Sequence, residues 1–81
     1  MRPIKRSLTI AGHRTSISLE PAFWDALLEV AAAAGLTVAA LVARIDEERA
    51  AAGDDDPGGL SGAVRVHVLK HYRDGGRGPL A

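Results

Sequence analysis

Arg14-Thr15-Ser16-Ile17-Ser18-Leu19 alternates polar and apolar side chains, with Ile17 and Leu19 on one face and Arg14, Ser16 and Ser18 on the other. A period of two with β-branched residues predicts a half-exposed strand. An isolated strand of this length leaves its backbone hydrogen bonds unmade, so it needs a partner. Two sources are open. Ser7-Leu8-Thr9-Ile10 also alternates and is separated from it by a turn or bulge at Ala11-Gly12-His13; the other source is a second chain.

Downstream the period changes to that of a helix. Helix 1 opens at Glu20-Pro21, where proline loses nothing by lacking an N–H, and Glu20 and Asp25 suit the positive end of the dipole. Phe23, Trp24, Leu27, Leu28 and Ala31 recur on one face, and at that spacing the two aromatics read as core rather than as a base-stacking platform. Gly35 stops the helix, and Thr37 is the N-cap of helix 2, whose stripe is Val38, Leu41, Val42 and Ile45. Residues 50–59 break the pattern with a charge run, a proline and glycines. Helix 3 is expected from Ser61 as N-cap through Tyr72, inside a unit spanning 60–74, followed by a frayed tail over 75–81.

Net charge over the 81 residues is zero, but the charges are segregated. Residues 1–19 carry Arg2, Lys5, Arg6 and Arg14 with no acid, whereas nine of the ten acids fall between residues 20 and 56. Residues 57–81 are basic again, with Arg65, Lys70, Arg73 and Arg77 against Asp74. A basic arm of this kind is an electrostatic footprint for phosphate, which makes Lys5 and Arg6 candidate phosphate contacts.

Other chemistries find little support. There is no cysteine, hence no disulfide framework or thiolate metal site. His67 and His71 share a helix face at i, i+4, but two ligands make a poor metal site and they read as surface or partly buried histidines. Asp54-Asp55-Asp56 lacks the spacing and terminal Glu of a calcium loop and reads as a solvated linker. No phosphate loop or nucleophile–base–acid set is present, so neither enzyme activity nor a cofactor is expected. No stretch reaches bilayer-spanning length and no apolar run follows the charged start, which leads us to expect a soluble cytoplasmic protein. So short and alanine-rich a chain buries little core alone, and a second copy is the obvious way to enlarge it.

The strand at 14–19, helix 1, Gly35-Leu36-Thr37 and helix 2 together resemble the ribbon-helix-helix superfamily of bacterial repressors, and from Lys5 to Arg73 the chain is similar to small bacterial ribbon-helix-helix domain proteins. The resemblance implies a mostly helical fold with a short N-terminal β-strand, in which residues 14–49 form the core of an intertwined homodimer. Two chains would build an antiparallel ribbon that enters the major groove. Arg14, Ser16 and Ser18 would then contact bases, and the twofold axis implies a pseudo-palindromic DNA operator. Backbone amides at Leu36, Thr37 and Val38 would hold a phosphate at the helix 2 terminus. Ile17, Leu19, Trp24, Leu27, Leu28, Leu41, Val42 and Ile45 would form the dimer core. Two features depart from that pattern. Residues 1–13 supply either a basic arm or an extra strand, and a third helix follows whose Leu60-Ser61 start resembles that of helix 2, so either helix is open as the core one. An alternative to DNA binding is a protein-interaction module, antitoxin-like or an adaptor, built on the same dimeric fold.

Overall fold

A computed structural model describes residues 2–53 and 59–75. Two strands, β1 (Ile4–Ile10) and β2 (His13–Leu19), precede three helices, α1 (Pro21–Ala34), α2 (Val38–Ala51) and α3 (Gly59–Arg73). The acidic linker at Asp54–Asp56 and the tail beyond Gly75 lie outside the described residues.

The question of β2's partner is answered inside the chain. β1 and β2 form a two-stranded antiparallel sheet with register Ile4↔Leu19 through Ile10↔His13. Its turn is Ala11-Gly12, with φ of 52° and 82°. Positive φ at both central residues of a two-residue loop matches the right-handed strand twist, and this lets the hairpin close so tightly. The segment expected as an arm with at most four residues of strand therefore holds a seven-residue strand.

Glu20 precedes α1 in an extended conformation and Pro21 begins it. Gly35 ends it in the left-handed region, with Gly35 N–H donating to the Ala32 carbonyl and Leu36 N–H to that of Ala31. Thr37 then caps α2, its Oγ1 accepting from the Ala40 N–H at 3.1 Å. The short Gly35–Thr37 break turns α2 by 91° from α1. Two boundaries move: α2 continues to Ala51, and α3 begins at Gly59, two residues before the serine expected to cap it.

The helices and the inner face of the hairpin enclose one core. Ile10, Ile17 and Leu19 come from the sheet, Trp24, Leu27, Val30 and Ala31 from α1, and Leu41, Val42 and Ile45 from α2. α3 adds Leu60, Val64 and Val68, so both α2 and α3 are core helices and the choice between them dissolves. Seven of the eight residues expected in a dimer core are thus buried within one chain; Leu28 is 56% exposed. Among the described residues no single helix is long and apolar enough to cross a membrane.

Candidate nucleic-acid interface

A two-residue turn makes Ile10 and His13 the hydrogen-bonded pair that closes the hairpin, and the pattern alternates from there. Ile4, Arg6, Leu8 and Ile10 therefore share a face with His13, Thr15, Ile17 and Leu19. The opposite face carries Lys5, Ser7 and Thr9 across from Ser18, Ser16 and Arg14. Burial follows the pleat: Ile10, Ile17 and Leu19 are buried, while Lys5, Ser7, Thr9, Arg14 and Ser16 are exposed. The Ser7 and Ser16 hydroxyls lie 3.4 Å apart on the open face.

The residues expected at DNA are not all brought together. Arg14 and Ser16 stand on the open face, with Lys5 on the neighbouring strand. Ser18 is half-buried, because α3 lies along that end of β2. Its N–H donates to Ser61 Oγ at 3.1 Å, and its carbonyl accepts from Arg65 Nη2 at 3.1 Å. Arg6 is exposed but belongs to the inner face, and its guanidinium sits 5.2 Å from the centre of the Trp24 ring. Trp24 in turn donates from Nε1 to the Ile4 carbonyl at 2.9 Å, tying β1 to α1. At the α2 terminus Thr37 is exposed while Leu36 and Val38 are half-buried, and the Thr37 hydroxyl is already engaged by the Ala40 amide.

The electrostatics keep the open face basic. No acid occurs in residues 2–19, and the first one, Glu20, faces away into an ion pair with Arg65. Arg65 Nε and Nη2 donate to its two carboxylate oxygens at 3.0 and 3.2 Å. That hydrogen bonding, with a further one to its own backbone, holds the Glu20 carboxyl below its ordinary range. Towards the C-terminal end of α3, Tyr72 donates to Glu29, which pushes the phenol pKa up. Arg49 pairs with Asp46 at 2.9 Å. Among the described residues no group of three potential ligands is placed to hold a metal ion. His71 packs edge-on against Tyr72.

Three residues of this arrangement were not foreseen as partners. Ser7 and Thr9 join the open face through the hairpin register, and Arg65 clamps the far end of β2. The period-two run Lys5-Ser7-Thr9 was a usable signal for the first two; nothing local marks Arg65.

A basic two-stranded ribbon braced on a small helical core defines a class of compact ribbon-and-helix domains. The chain belongs to the ribbon-helix-helix domain family, whose model matches residues 3–72. Domains of this family generally bind DNA, as transcription regulators or antitoxins, and are not enzymes. The structure is similar to that of an uncharacterized protein from Bordetella pertussis Tohama I, with a TM-score of 0.73 and 35% sequence identity. The match covers 95% of this chain and 62% of that one, so the chain spans less than two thirds of its relative's length. Comparison with curated proteins gives no match.

Proposed function

We propose that this chain is a homodimeric, sequence-specific DNA-binding protein of the cytoplasm, a transcription regulator that sets an antiparallel ribbon into the major groove of a pseudo-palindromic duplex. One observation carries the reading: a solvent-exposed, acid-free hairpin face bearing Lys5, Arg14 and Ser16, held rigid by a packed inner face. Arg14 offers a planar fork suited to guanine, and Ser16 donates or accepts to several bases. Ser18, at the covered end, contacts bases at the margin of the footprint. Lys5 and Arg6 add phosphate contacts, as do the amides at Leu36, Thr37 and Val38, where the α2 dipole is positive.

The test is selection of bound duplexes from a random library at a fixed salt concentration, with a sizing measurement on the protein alone. A palindromic motif and a mass of two chains are the expected results. Absence of enrichment at low salt overturns the DNA reading, and a monomer at micromolar concentration overturns the dimer.

A second reading, a protein-interaction module of antitoxin or adaptor type, is favoured by Val66 and Leu69, which are 49% and 52% exposed on α3. A stoichiometric protein complex together with no duplex retardation is the outcome that selects it.

A further inference from the structure

We propose that the groove between α3 and the last turns of α2 receives the same groove of a second copy of this chain, in a contact separate from any pairing of strands. It does not depend on the DNA-binding reading above, since no residue of the hairpin takes part.

The floor of the groove is apolar. It holds about 530 Å³ and is lined by Ile45 of α2 with Ala63 and Val66 of α3. Val66 and, one turn further on, Leu69 are half exposed, an apolar edge that nothing in the chain covers. Gly62 lies on the same floor. It is within α3, where glycine weakens a helix relative to every residue but proline. Among the described residues nothing comes within 4 Å of where its Cβ would stand. Packing inside the chain therefore gives no reason for a glycine there. What the missing side chain does permit is close approach from outside.

The walls carry opposite charges. Near its end α2 runs Asp46-Glu47-Glu48-Arg49, and Arg49 pairs with Asp46, which leaves Glu47 and Glu48 as exposed acids. α3 has no acid from Gly59 to Arg73, and Lys70 and Arg73 are exposed along it. Glu48 and Lys70 line the two sides of the groove, and neither has an ion-pair partner among the described residues. A twofold axis running along the groove lays the α2 wall of each copy on the α3 wall of the other, so that Glu48 meets the partner's Lys70 and the pair occurs twice. A different protein would need a matching acidic and basic wall; a second copy has both. Size sets the strength. The α3 wall from Gly59 to Lys70 is about 17 Å long, and two helices side by side are about 20 Å across. Such a patch falls well short of the about 800 Å² that each partner buries in a stable complex. The contact is therefore weak, and shows as a mass that rises with protein concentration.

Sedimentation equilibrium on the full chain, in a series from micromolar to millimolar, tests it. The wild-type mass should double across the series, and the doubling should need more protein in high salt. Lys70→Glu sets like charges against each other at both pairs and should weaken the association by about tenfold or more, while Lys70→Glu combined with Glu48→Lys should restore it. Gly62→Gln puts a side chain on the floor. Because glutamine is the better helix former, the thermal midpoint of the dilute protein should hold or rise, and yet the doubling should be lost. A doubling from two chains to four leaves the dimer proposed above in place. A doubling from one chain to two, abolished by the same variants, keeps the groove contact and removes that dimer. A mass that stays constant over the whole series overturns the groove contact, as does a doubling that neither Lys70→Glu nor Gly62→Gln changes.

Discussion

The hairpin and the helices divide the work of the molecule. Residues 4–19 spend only one face on the core and leave the other basic, polar and open, whereas each helix contributes at least three buried apolar side chains. Stability should therefore reside in the helices and DNA recognition in the hairpin, with few residues serving both. Substitutions that separate the two properties test that division. The largest effect is expected in the helical half. Leu27 is fully buried on α1, and Leu27→Ala should destabilise the protein by about 2–5 kcal/mol, the range for a leucine removed from a packed interior. Duplex binding by the fraction that remains folded should be unchanged, as read from urea titrations paired with binding isotherms. A stable Leu27→Ala protein with altered sequence preference would erase the distinction.

Arg14→Ala should do the reverse. The side chain is exposed, so the unfolding midpoint should move little, while specific binding weakens by about 1–3 kcal/mol and preference relaxes at one base position. Equal losses on specific and scrambled duplexes would make Arg14 a phosphate contact rather than a reader.

A smaller effect concerns how firmly the ribbon is held. Ala11 occupies the left-handed region at φ 52°, a conformation that costs a non-glycine residue energy, and Gly12 follows at 82°. Asn tolerates that region and is the preferred partner of Gly in this turn, so Ala11→Asn should stabilise the protein by about 0.5–1 kcal/mol. A thermal melt checks it; a lower midpoint would mean that the turn is of another kind.

The same division explains what could be read from the chain beforehand. β2, the three helices, the stop at Gly35 and the cap at Thr37 rest on periodicity and capping, which are local, and the structure places them within three residues. β1 was read short because Arg6 interrupts its apolar face. That arginine lies over Trp24, and a partner eighteen positions away leaves no trace in a period-two pattern. Ser61 looked like a cap because it precedes an apolar run; it lies inside α3 and accepts instead from the backbone of β2, a tertiary bond no local rule supplies. The open face was legible for β2, but its β1 half depends on register, and register is fixed by the turn at Ala11-Gly12, whose geometry the sequence left between a turn and a bulge. The share of α3 in the core stayed open for a related reason: the Leu60-Ser61 and Leu36-Thr37 starts look alike, and no local rule says which of the two helices packs on the sheet.

The smallest expected effect lies where the two regions join. Glu20 sits between β2 and α1 and is bound by Arg65 of α3, which also holds the Ser18 carbonyl. The hydrogen bond from Arg65 is the main reason that the carboxyl titrates below its ordinary value of 4.5. A carboxyl whose pKa is depressed by folding stabilises the native state at every pH above its unfolded value, and that contribution fades as the pH falls through the lower, folded value. Glu20→Gln removes the charge and keeps an oxygen that can accept from Arg65. Wild type should therefore be the more stable of the two at neutral pH, with the gap closing as the pH drops below about 4.5. The pair is about one third exposed on each side, so the gap should be small and should shrink further in high salt. Melting curves from pH 7 to pH 3 at two salt concentrations decide it. A gap that stays constant across that range would mean that the Glu20 charge contributes nothing to holding the hairpin on the helices.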